Sequence, residues 1–275
     1  MKAKSAILPY LVWMIIFILL PLVIVIYYSF TTPDNTVSVS LENFKTIFTD
    51  TTMIKVFARS VWLGFLATLI CLILAYPIAY SISRAKGKYQ QTILMLILLP
   101  MWMNFLLRTY SLITLFENNG LINKFFGFLG LGPFKIINTP GAVVTGMVYN
   151  FLPFMILPIY SVMTKIDKSQ LEAAQDLGAN RLQVLWRVIM PLSLPGVVSG
   201  ITMVFVPSVS TFIISKMLGG GSNVLIGDII ELHFIGVSYN PNIGSAISLV
   251  LMILMVISMA IMNKFSGEDM ESIIV

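Results

Sequence analysis

Charge is scarce in this chain of 275 residues: Asp, Glu, Lys and Arg together supply 11% of it, against 57% apolar residues. A soluble domain carries about 25% charged residues, so there is too little charge here to cover a water-facing surface. That excludes a soluble globular enzyme, a disordered tail and a nucleic-acid-binding domain. The net charge of +5 does not restore the last of these, because the basic residues are scattered between apolar blocks. The excess of Lys and Arg in the cytoplasmic loops of membrane proteins accounts for it. Cysteine is limited to Cys71 and histidine to His233, which leaves no disulfide framework and no Cys- or His-built metal site within the chain. His233 reads as an interface residue. There is no G-x-x-x-x-G-K-[ST], H-E-x-x-H, G-x-S-x-G or C-x-x-C, hence no nucleotide bound in the P-loop manner. The long apolar stretches hold no Asp or Glu near mid-depth, where a proton-coupled transporter carries its relay. These absences point to a conduit without cofactor, whose energy source lies on another subunit.

What is there is membrane-spanning helix. A helix needs about 20 apolar residues to cross a hydrocarbon core of about 30 Å. Six stretches qualify: 6–28, 60–83, 89–116, 141–164, 195–215 and 243–263. The apolar run of the first is too long for a signal-peptide core and no small-x-small cleavage pattern follows it, so it reads as a retained helix. The expectation is an all-α, polytopic membrane protein forming a single permease domain over 1–275. Lys2, Lys4, Arg84, Lys86, Lys88, Lys165, Lys168, Arg181, Arg187 and Lys264 fall on one side and the smaller set Lys45, Lys55, Arg59, Lys124, Lys135 and Lys216 on the other. The positive-inside rule then puts both termini in the cytoplasm. A short interfacial helix is expected in the outer connection 117–140, and a loop with a short interfacial or re-entrant helix in 218–242, which opens on Gly219-Gly220-Gly221. Gly196 and Gly200 form a G-x-x-x-G that allows close helix approach.

The cytoplasmic segment 165–195 is polar and reads as helix, turn, helix. Ser169-x-x-Glu172 has the form of a capping box, with Asp167-x-x-Gln170 as another start. Leu171, Ala174 and Leu177 follow at helical spacing. Gly178 fits the left-handed residue that stops a helix, Asn180-x-x-Gln183 caps a second one, and Pro191 is expected to end it. Small residues on such a pair let another protein's groove approach the backbone; an interfacial helix lying on lipid headgroups is the competing reading.

Glu172-Ala173-Ala174, three residues and Gly178, then Val188-Ile189-Met190-Pro191, resembles the EAA signature of ABC importer permeases. The family's usual Ile-x-Leu-Pro ending is replaced by another apolar ending. The resemblance implies the type I ABC importer permease fold and a coupling helix seated in a cytoplasmic ATPase, with Glu172, Ala173, Ala174, Asp176, Gly178 and Pro191 as its contact positions. Leu98 to Tyr110, Leu171 to Ala179, and Met217-Leu218-Gly219-Gly220 with Asn223 to Gly227 are similar to permeases of spermidine/putrescine importers, and the last segment favours the first of that system's two permeases. The family implies a non-catalytic subunit of the bacterial inner membrane. It works beside a second permease, an ATPase dimer and an extracytoplasmic binding protein, with no nucleic acid. Another small solute, such as a metal chelate or oxyanion, is the closest alternative cargo, and an ion-coupled secondary transporter the more distant rival.

A polycation's path needs carboxylates, carbonyl dipoles or aromatic faces. Candidates are Trp102, Asn104, Tyr110, Glu117, Tyr149, Asn150, Ser210, and the pair Asp228 and Glu231, which a helix would present on one face. Arg108, about 25 Å along a straight third span, is expected near the outer interface. There it would snorkel and serve structure or gating rather than ligation.

Overall fold

The computed structural model describes residues 9–32 and 39–266; Lys2, Lys4 and the start of the first apolar stretch lie outside them. Among the described residues the chain is helical, in the order α1 Pro9–Ser29, α2 Glu42–Thr49, α3 Thr51–Arg84, α4 Lys88–Leu98, α5 Phe105–Phe116, α6 Leu121–Phe128, α7 Pro140–Met163, α8 Lys168–Asp176, α9 Arg181–Ser210, α10 Ile213–Leu218, α11 Ile226–Phe234 and α12 Pro241–Ser266. By length and composition α1, α3, α7, α9 and α12 are each able to cross a membrane. Short helices, α6 and α11, occupy the two connections in which they are expected.

The core is built from α3, α7 and α9. On α3, Ala67, Cys71, Ala75 and Ala79 recur every fourth residue and are wholly buried, so one stripe of small side chains faces its neighbours and lets them close in. Cys71 Sγ reaches the Val148 carbonyl on α7 at 3.9 Å. On α9 both glycines of the G-x-x-x-G sit against α7: a Cβ on Gly196 would lie 2.8 Å from the Pro158 carbonyl, and one on Gly200 would lie 2.7 Å from Met155 Sδ. The motif is a packing interface within the chain.

A second cluster joins α2, α3, α9, α11 and α12 through Ile47, Val56, Val209, Ile226 and Ile247. The C-terminal end of α1 is tied to it by amides. Asn43 Nδ2 donates to the carbonyls of Ser29 (3.0 Å) and Thr31 (2.8 Å), and Asn242 Nδ2 donates to that of Thr31 (2.7 Å). These bonds satisfy carbonyls that the end of α1 leaves open. Its apolar faces stay largely uncovered, as expected of a helix bathed in lipid or met by another chain.

Three expectations are overturned. The third span is not straight. After α4 the chain tightens into a 3₁₀ turn at Leu99–Trp102, and the helical arms on either side meet at 92°. Pro100 has no amide proton to continue the ladder, and Asn104 starts α5 afresh by accepting from the Leu106 amide at 2.8 Å. Depth counted along a straight helix therefore fails for Arg108. It is buried, its Nε and Nη1 lack hydrogen-bond partners, and its guanidinium lies 5.8 Å from the Phe105 ring centre, so it does not snorkel. Pro191, finally, ends nothing: α9 runs on as one helix of 30 residues, about 45 Å long. A π turn at Leu185–Ile189 shifts the hydrogen-bond register by one residue just ahead of the proline. Such a shift frees local carbonyls and lets a helix pass a residue that cannot donate.

Candidate functional site

The segment joining α7 to α9 carries the most explicit local design. α8 is capped by Asp167, whose carboxylate accepts from the Ser169 amide at 3.1 Å. The expected Ser169–Glu172 box is therefore not the start of the helix. A charged carboxylate at the positive end of a helix is a better acceptor than a hydroxyl, so the helix begins two residues earlier. The same hydrogen bond holds the Asp167 carboxyl below its ordinary range. At the other end Gly178 takes φ +84°. Its amide donates to the Gln175 carbonyl (2.8 Å), and the Ala179 amide to that of Ala174 (3.0 Å). This is the paired closure in which a left-handed residue satisfies a helix's last carbonyls. Two residues later Asn180 and Gln183 exchange side-chain-to-amide bonds of 2.8 Å each and start α9.

Leu171, Val184 and Ile189 are buried in the main core, so the helix pair is bolted to the spans. Leu177 is not part of that face: it is 89% exposed. Position 177 is the residue where α8 leaves helical geometry, so the i, i+3 spacing that suggested a buried face no longer applies. Leu177, Gly178 and Ala174 line a concavity of about 370 Å³ shared with Ala179, Gln183 and Arg187. Glu172, Ala173, Asp176 and Pro191 are exposed and Ala174 is half-buried. Of the coupling positions taken from the resemblance, Ala174 and Gly178 line this concavity beside the apolar Leu177.

The path candidates are dispersed. Trp102 is 82% exposed at the bend, and Asn104 has its side chain committed to capping α5. Tyr110, Tyr149 and Glu117 are exposed. Asn150 is buried, donates to the Gly146 carbonyl at 2.9 Å, and keeps its Oδ1 without a partner. Ser210 donates to the Val206 carbonyl. Among the candidates Asp228 and Glu231 come together, in a pocket of about 150 Å³ past the C-terminal end of α9 that Lys216 also lines. Asp228 Oδ2 accepts from the Leu225 amide at 2.7 Å, and burial pushes its carboxyl up. Lys216 Nζ bridges both oxygens of Glu231 at 2.9 and 3.0 Å. Lys216 was not legible as a site residue, since nothing in the spacing of residues 216 and 231 announces a pair. His233 bonds through Nδ1 to the Ser238 carbonyl at 3.0 Å.

The loop around this pocket is clamped. Arg59 Nη1 on α3 donates to the Ser222 carbonyl at 2.9 Å, and Ser60 Oγ accepts from the Ile226 amide at 2.8 Å. Gly220 takes φ +58° where a Cβ would overlap the Asn138 side chain. α9 therefore has the helix pair at one end and the pocket-bearing segment at the other.

Comparison with known proteins agrees with this architecture. The chain is 38% identical to the spermidine/putrescine transport system permease protein PotB of Haemophilus influenzae, over 94% of this chain and 93% of that one. It is also 38% identical to the protein of the same name from Escherichia coli K12, over 88% and 90%. The inner membrane ABC transporter permease YdcU of the latter organism is 27% identical over 87% and 82%. Among solved structures, a bacterial ABC transporter involved in import of the acidic polysaccharide alginate superposes with a TM-score of 0.82 at 17% identity, covering 96% of this chain and 94% of that one. A chain of the MetNI methionine ABC transporter gives 0.58 at 15% identity, over 78% and 94%; these two likenesses speak to the fold. The family model for the binding-protein-dependent transport system inner membrane component matches residues 71–269, and the chain accordingly belongs to that family, as a multi-pass, non-catalytic transport subunit of the inner membrane with the ABC importer permease fold.

Proposed function

We propose that this chain is one of two permeases of an ATP-driven importer for polyamines of the spermidine and putrescine class. The observation that carries the energetic half is the presentation of Leu177. An apolar side chain 89% exposed, held between two capped helix ends and mounted on buried anchors, is an expensive thing to show to water unless a partner covers it. A cytoplasmic ATPase with a groove for the helix pair is that partner, and Glu172, Ala173, Ala174, Asp176, Gly178 and Pro191 form the docking surface. Closure of two ATPases on ATP pushes on this knob. α9, continuous over about 45 Å, carries the displacement to the outer segment. An extracytoplasmic binding protein delivers the cargo there, and a second permease completes the path. Docking does work only if the ATPase binds the inward- and outward-facing states with different affinity. Both termini lie in the cytoplasm, on the side of the basic cluster Arg84, Lys86 and Lys88.

The cargo is assigned from the two relatives that are 38% identical over nearly the full length. A metal chelate or an oxyanion fits the outer carboxylates Asp228 and Glu231 less well than a polyamine does, since the first presents no ammonium to them and the second shares their sign. The test is reconstitution with the second permease, the ATPase and the binding protein in proteoliposomes. Uptake of labelled putrescine or spermidine is expected only with internal ATP and loaded binding protein. Uptake driven by an ion gradient without ATP, or a binding protein that ignores both amines, contradicts the proposal.

A further inference from the structure

At the outer end one carboxylate oxygen has no partner. Asp228 is 8% exposed and lines the pocket. Its Oδ2 is occupied by the Leu225 amide, while Oδ1 accepts no hydrogen bond. The Ser215 hydroxyl and the Lys216 ammonium stand near enough to favour the charged carboxylate, but the hydroxyl donates to the Phe212 carbonyl at 3.0 Å and Lys216 is held by Glu231. A buried acceptor left open is costly and calls for a donor, and a negative one calls for a cation. The other carboxylate of the pocket already displays what fits: Glu231 holds a primary ammonium, that of Lys216, with both oxygens. The side chain of Lys216 is 61% exposed and that of Glu231 22%. An exposed ion pair of this kind contributes little net stability, so Lys216 can leave at small cost. Apolar wall is supplied by Val224. The pocket, about 150 Å³, is of the size that admits a small ligand such as benzene in an engineered protein cavity. That is room for an ammonium group and a few methylenes.

We infer that this pocket is a primary-ammonium subsite at the outer mouth of the permease, in which Asp228 Oδ1 accepts from one terminus of the cargo and Glu231 exchanges Lys216 for it. The inference rests on the polyamine reading above and deepens it. Lys216 then acts as a built-in competitor. It keeps Glu231 neutralised while the subsite is empty, and it swings out as a cation arrives. Monovalent alkylammonium ions should enter, and uncharged diols of the same length should not.

The test uses the assembled permease–ATPase complex in nanodiscs, without binding protein, and equilibrium binding of radiolabelled putrescine. Asp228→Asn keeps an acceptor for the Leu225 amide and removes only the charge. It is expected to weaken binding about ten-fold or more, the scale of one charge-assisted hydrogen bond in a buried setting. Lys216→Met, at a position too exposed to threaten folding, is expected to tighten binding several-fold by freeing Glu231. n-Butylamine should compete and 1,4-butanediol should not. Monodisperse elution of each variant complex establishes that it has assembled. No binding by the wild type, unchanged binding by Asp228→Asn, unchanged or weaker binding by Lys216→Met, or competition by the diol each overturns the inference. Parallel uptake by the complete wild-type importer separates the two levels. If putrescine is not transported at all, the cargo assignment fails; if it is transported while both variants bind like the wild type, only the subsite fails.

Discussion

Replacing Gly178 by Ala isolates the backbone of the docking surface. At φ +84° an added Cβ meets nothing within 4 Å, so the chain itself offers no steric objection. The penalty is conformational, about 1–2 kcal/mol for an L-residue held in the left-handed region. A difference of that size is a factor of about 5–30 in an equilibrium. The paired closure at Gln175 and Ala174 would give way for a large fraction of the time, and Leu177, the residue next to the turn, would lose its fixed position. Gly130 is a matched control. It sits at φ +73° with nothing within 4 Å of its Cβ, but in the outer connection between α6 and α7, so its substitution carries the same strain without touching the docking surface. The assay is coupled uptake and ATP hydrolysis by the reconstituted importer. Gly178→Ala should lower transport at least five-fold and lower the transport obtained per ATP. Gly130→Ala should stay within two-fold of the wild type. Equal effects of the two substitutions, or a silent Gly178→Ala, would refute the reasoning.

Two further substitutions probe the spans. Gly196→Ala drives a Cβ to 2.8 Å from the Pro158 carbonyl and 3.0 Å from Ile159 Cα, both backbone atoms, so α9 must back away from α7. The overpacking should cost about 1–3 kcal/mol, read as a lower unfolding temperature of the purified chain. Arg108→Met removes a buried cation whose Nε and Nη1 have no partner. It should raise the unfolding temperature, because an uncompensated buried charge is destabilising. If that cation finds a partner in another transport state, the same variant should transport more slowly; a lower unfolding temperature would show that Arg108 is already well compensated here.

The sequence spoke most clearly where chemistry is local. Gly178, Asn180 and Gln183 are read correctly because a left-handed stop and a reciprocal cap are decided within four residues. Asp167 outcompetes Ser169 for the same kind of reason, and its place among the alternatives was visible. Long apolar stretches announced the spans, since in lipid the backbone is satisfied by a helix or a closed barrel and runs of about 20 apolar residues fit the helix. Non-local matters were illegible. The 92° break after Pro100 depends on Asn104 starting a new helix, and a proline alone does not distinguish a kink from a corner. Pro191 was misjudged in the other direction, because a π turn upstream absorbs its missing donor. The Ala67, Cys71, Ala75, Ala79 stripe is plain only once α7 and α9 lie against it. The Lys216–Glu231 pair joins two helices whose relative placement is set by the clamps at Arg59 and Ser60.

Thiol labelling at position 177 tests the docking of the helix pair most directly. Cys71 is the one cysteine in the sequence and is wholly buried, where a thiol reacts poorly, so Leu177→Cys introduces a single accessible site without further engineering. Maleimide modification of that cysteine should be fast in the permease alone and strongly suppressed once the ATPase subunits are bound. Equal labelling with and without the ATPase would mean that the exposed leucine receives no partner, and the account of how ATP drives this permease would be wrong.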